Sequence, residues 1–72
     1  MEYVLKQKEI ENFYVCLSAY LNIYGLEVYE AGLYQKHGKA YCQVNLFTNA
    51  NKKKATQAYY RYCSKAREEI KI

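Results

Sequence analysis

The sequence predicts one small α+β domain over residues 1–72, a two-layer α-β-β-α sandwich, on three observations. Apolar residues recur at helical spacing near both ends of the chain, and two β-rich runs in the middle flank a short glycine-bearing segment. The composition is that of a packed chain, with 51% hydrophobic and 25% charged residues, three glycines and no proline. A chain of 72 residues buries only roughly 60% of the surface it exposes when unfolded. Little core is left for a deep substrate cleft, so function is expected on an outer face.

A first helix is expected over residues 8–24. There Ile10, Phe13, Tyr14, Leu17, Tyr20, Leu21 and Tyr24 share one helical face, with Glu11, Ser18 and Asn22 opposite and Gly25 placed as a C-terminal cap. Ahead of it, residues 3–5 suit either a first helical turn or a short extra N-terminal strand. Next comes a hairpin over 27–36 and 39–47, turned at His37-Gly38 because glycine tolerates positive φ. Setting Lys36 opposite Lys39 pairs Leu33 with Cys42, Ala31 with Val44 and Tyr29 with Leu46 on one apolar face. The other face then pairs Tyr34 with Tyr41, Gly32 with Gln43, Glu30 with Asn45 and Val28 with Phe47. A second helix follows over 51–70, with N-cap candidates in Thr48-Asn49-Ala50-Asn51 and a face of Ala55, Ala58, Tyr59, Tyr62, Ala66 and Ile70. Both helices should cover the apolar face of the hairpin and leave Tyr34 and Tyr41 open. Free strand edges on so small a core favour a homodimer.

Catalytic material is sparse. The single His37 falls at a hairpin tip, and Cys42 belongs to the core face, so no Cys-His nucleophile pairing forms and no enzyme activity is expected. Cys16, Cys42 and Cys63 are odd in number and more than twenty residues apart, which fits neither a disulfide framework nor a zinc site. No glycine-rich phosphate loop occurs, so neither metal nor cofactor is expected. The N-terminus lacks the basic and apolar regions of a secretory signal. The longest uninterrupted apolar run, residues 13–17, is far short of the ~20 residues that cross a bilayer. Free thiols in a reducing cytoplasm, without membrane attachment, are the expectation.

Charge is distributed unevenly. Residues 1–47 carry four Lys and five Glu, for minus one, whereas residues 48–72 carry five Lys and two Arg against two Glu, for plus five. Lys52, Lys53 and Lys54 open the second helix, where cations oppose the macrodipole and helix stability alone would favour Glu. Helix amides and ammonium groups together would attract phosphate. Gln57, Tyr60, Arg61, Arg67 and Lys71 continue along the outer face, an arrangement that can follow a backbone while stacking a base. A helix opening Lys52-Lys53-Lys54-Ala55, with Ala58 inside, resembles the last helix of double-stranded-RNA-binding domains over about eight residues. That resemblance implies a helix before the sheet and lysines that reach across a groove to phosphates. The favoured expectation is a non-enzymatic module that binds DNA or RNA.

Tyrosine supports a second expectation. Tyr34, Tyr41, Gln43 and Asn45 are expected on the open sheet face, and tyrosine is enriched at protein interfaces because it offers rigid area with a polar tip. The alternative function is therefore a small inhibitor or regulator of phage or mobile-element type that binds a host nucleic-acid-processing protein.

Overall fold

The computed structural model describes residues 2–70, which form four strands and then a helix. These are β1 (Glu2–Ile10), β2 (Phe13–Leu21), β3 (Glu27–His37), β4 (Ala40–Asn49) and α1 (Lys52–Ile70). Each strand pairs antiparallel with the next, so the sheet order is β1-β2-β3-β4, and α1 packs on one face. The α-β-β-α sandwich is thereby corrected to a four-stranded meander with one helix. The N-terminal residues left open between helix and strand belong to β1.

No helix spans residues 8–24. The helical pattern leaves Val15 and Ala19 off its apolar face, yet both are fully buried. Alternation accounts for them, because Val15 and Leu17 join the core beneath α1 and Ala19 is buried on the same face, while Tyr14, Cys16 and Ser18 line the opposite face. With Tyr14, Cys16 and Tyr20 on its outer face, β2 has Ser18 there as its one polar position, too few to reveal a period of two, and a 3.6-residue spacing can then be traced through it. The turn between β1 and β2 also gives no glycine signal. It is Glu11-Asn12, with Glu11 itself at φ 53°.

The β3-β4 hairpin occupies the expected residues in a different register. Its turn is Gly38-Lys39, with Gly38 at φ 63° and His37 opposite Ala40, instead of His37-Gly38. A second departure lies farther from the turn, where Val44 is the extra residue between the Tyr34–Gln43 and Leu33–Asn45 pairs. One inserted residue exchanges the faces of everything after it. Phe47, opposite Ala31, therefore packs against the core, while Leu46, opposite Gly32, is exposed. Val44 and Leu46, expected inside, lie outside. Asn45, expected on the open face, is half-buried opposite core residue Leu33.

The core is built from small residues. Ala55, Ala58, Tyr59, Cys63 and Ala66 of α1 meet Val15, Leu17, Ala31 and Leu33 of the two central strands. Alanines on both sides let the helix backbone approach the sheet, and Leu5, Ile10, Phe13, Tyr29, Phe47 and Tyr62 close the margins. Asn51 starts α1 where the lysines supply no capping group: its Oδ1 accepts the amides of Lys53 at 2.9 Å and Lys54 at 3.2 Å. Among the described residues no helix is long and apolar enough to cross a membrane.

Chemical denaturation tests this packing. Leu33→Ala should destabilise the fold by about 2–5 kcal/mol through the cavity it leaves. Ala31→Leu should cost about 1–3 kcal/mol by forcing α1 off the sheet. A neutral Ala31→Leu would show that the helix does not lie close to β3.

Candidate nucleic-acid interface and the open sheet face

The helix side carries the cations. Lys52, Lys53, Lys54, Gln57, Tyr60, Arg61 and Arg67 are all exposed on α1, as the sequence anticipates, whereas Lys71 lies outside the described residues. The amides of Lys53 and Lys54 are already held by Asn51, which takes two amides out of the expected combination with ammonium groups. Strand β1 adds a part that sequence reasoning missed. Lys6 and Lys8 stand opposite core residues Leu17 and Val15, hence on the helix side of the sheet, and both are exposed. The Lys6 Nζ lies 6.0 Å from the Tyr60 ring centroid, at the limit of cation–π range. Tyr60 is braced from below by buried Tyr59, whose ring meets it edge-on at 5.2 Å between centroids. The result is a fixed aromatic ring with cations on two secondary-structure elements.

The opposite side carries a cluster of carboxylates. Among the described residues, Glu2, Glu9, Tyr14, Cys16, Ser18, Glu30, Gly32, Tyr34 and Tyr41 line a groove of about 510 Å³ with no Lys, Arg or His in its lining, and Lys36 stands on the same face opposite Tyr41. Its shape follows from side-chain size: Cys16, Ser18 and Gly32 are small and separate the tyrosines from Glu2 and Glu30, while Glu9 stands beside Tyr14. The Tyr34 ring lies over Gly32, where an added Cβ would come within 2.7 Å of it. Tyr14 donates to the Gln7 Oε1 at 2.7 Å, and the Ser18 hydroxyl donates to Glu2 at 3.2 Å. Tyr34, Tyr41 and Gln43 share this face through the Tyr34–Gln43 and Lys36–Tyr41 pairs, but Asn45 does not join them.

The β2-β3 loop departs from the expected helix. Tyr24, expected in a helix face, is 79% exposed, and Ile23 beside it is 91% exposed, with Leu21 and Leu26 exposed nearby. The loop is nevertheless ordered by Asn22, whose Oδ1 accepts the amides of Tyr24 and Leu26 at 2.9 and 3.1 Å, with Gly25 at φ 76°. A shallow extension of the groove shares Glu2 and Glu30 and reaches Tyr20 and Leu21, where this loop begins. Among the described residues no group of three or more His, Cys, Asp or Glu could hold a metal ion. No family model matches the chain, nor does any curated protein or solved structure.

Both aromatic clusters are expected to respond to alkali. Burial, reinforced by Cys16, pushes the Tyr14 phenol up to about 12, and burial with Cys63 does the same for Tyr59. Each stays protonated in the fold after an unfolded-chain phenol, near 10.0, has ionised. The stability this confers is complete below that lower value and is lost as pH rises towards about 12. Phenolate absorbance at rising pH should show a late-ionising subset of the ten tyrosines that includes Tyr14 and Tyr59, with circular dichroism lost as that subset titrates. Ionisation of all ten in one early step, with the fold intact, would contradict this.

Proposed function

We propose that the protein is a non-enzymatic nucleic-acid-binding module that grips phosphates through the exposed side of α1. The observation that carries this reading is the braced Tyr60 ring, with Lys6 from β1 at the limit of cation–π range and the exposed cations of α1 on its own element. An isolated run of surface lysines is ordinary solvation. Cations contributed by two elements around a fixed, half-exposed aromatic offer phosphate contacts and a stacking surface together. Lys52, Lys53 and Lys54 extend the contact at one end of α1 and Arg67 towards the other. Contacts of this kind reach backbone and base faces, so little sequence preference follows.

A second reading, a protein-binding regulator acting through the open sheet face, is favoured by a separate observation. The tyrosine-lined groove extends to the start of a loop that holds Ile23 and Tyr24 in solvent. Rigid exposed aromatics of this kind are typical anchors of protein interfaces.

Fluorescence anisotropy with duplex and single-stranded DNA and RNA tests the first reading. If the lysine run engages three phosphates, affinity should fall with salt at a log-log slope of about minus three, and Lys52, Lys53 and Lys54 changed together to Gln should flatten it. Tyr60→Ala should weaken single-strand binding by about 1–3 kcal/mol, the worth of one stacked base. Tyr34→Ala, on the opposite face, should change neither. Absence of binding to all four nucleic acids at low salt would return α1 to a solvated helix.

A further inference from the structure

We propose that the groove on the open sheet face binds an arginine side chain presented by an extended basic segment of a partner protein. Charge complementarity identifies the occupant. The chain carries a net charge of +4, yet among the described residues the groove is lined by Glu2, Glu9 and Glu30 and by no Lys, Arg or His; Lys36, across from Tyr41, is on the same face outside this lining, so carboxylates outnumber cations there. An anion, nucleic acid included, is repelled from it.

Aromatic geometry narrows the cation to arginine. Tyr14 stands with its ring centroid 6.1 Å from that of Tyr34 and 5.9 Å from that of Tyr41, at interplanar angles of 40° and 55°. Tilted rings leave π faces that are not consumed by stacking on one another. A planar guanidinium can lie on such a face and direct its N–H fork at a carboxylate, which an ammonium point charge does less well. Gly32 is the residue that makes this possible. Without a Cβ it lets the Tyr34 ring lie down over the strand and form a wall, where an alanine would push the ring outward. The volume, about 510 Å³, falls within the range of sites that enclose small ligands.

The test is amide chemical-shift mapping of the full 72-residue chain titrated with acetylated octa-arginine, in parallel with octa-lysine and octa-glutamate. The net charge of the protein opposes any bulk attraction of a polycation, so binding reports the local site. Shifts are expected at Tyr14, Cys16, Gly32, Tyr34 and Tyr41, stronger for octa-arginine than for octa-lysine and absent from these amides with octa-glutamate. Glu30→Gln, which keeps the side-chain shape, and Tyr41→Leu, at a position 47% exposed, should each weaken octa-arginine binding about ten-fold. Gly32→Ala should weaken it with the sheet pattern of shifts retained. The Lys52, Lys53 and Lys54 to Gln variant should bind octa-arginine undiminished, which separates this site from the nucleic-acid reading. No shift at the groove amides, or equal binding of octa-lysine, would overturn the proposal. So would the same shifts on concentrating the protein without peptide, which would make the basic helix of a second copy the occupant.

Discussion

Ala55, Ala58 and Ala66 carry nothing beyond Cβ, so α1 can lie close on β2 and β3 and seal Val15, Leu17 and Leu33 from water. With so few large side chains inside, close approach must supply the dispersion contacts that bulk supplies in larger proteins. That contact also commits the faces of the sheet. Once Val15, Leu17, Ala31 and Leu33 turn towards the helix, Tyr14, Cys16, Gly32 and Tyr34 must turn away, and the groove forms on the side that α1 does not cover. Lys6 and Lys8 are turned to the helix side by the same alternation, across a bulge at Leu5.

Parts of this were legible in the residues. The C-terminal helix, its alanine face and its cationic exterior follow from periodicity, and the β3-β4 hairpin follows from two β-rich runs around a glycine. What was lost has physical causes. β2 has apolar or aromatic side chains on both faces, and its tight turn from β1 uses Glu11 in place of glycine, so residues 8–24 imitate a helix. The bulge at Val44 leaves no compositional trace, yet it exchanges Asn45 and Phe47 with Val44 and Leu46 relative to the core. The helix before the sheet that the resemblance to double-stranded-RNA-binding domains implies is not there: β1 and β2 occupy that part of the chain. Lys6 could not be joined to Tyr60 from sequence without the β1-β2 pairing.

The two faces give one thin body two unlike surfaces. Its principal extents are 42, 25 and 16 Å, so the basic side of α1 and the acidic tyrosine groove are separated by little more than a helix and a sheet. The basic side is suited to phosphate and the groove to a cation, and neither charge type is welcome at the other site. On the two proposals together, α1 would hold a nucleic acid while the groove holds a basic protein segment. The ordered apolar loop around Ile23 and Tyr24 would enlarge a protein contact and contributes nothing to a phosphate contact.

The three free cysteines occupy three environments: Cys63 is buried on the sheet-facing side of α1, Cys16 is half-buried in the groove, and Cys42 is exposed on the edge strand β4. Native-state alkylation with iodoacetamide, resolved by peptide mass mapping, follows each of them separately. Cys42 should react first, Cys16 more slowly beneath the tyrosines, and Cys63 only once the protein is denatured. Native labelling of Cys63 as fast as that of Cys42, or protection of Cys42 equal to that of Cys63, would contradict the packing of α1 on the bulged four-stranded sheet.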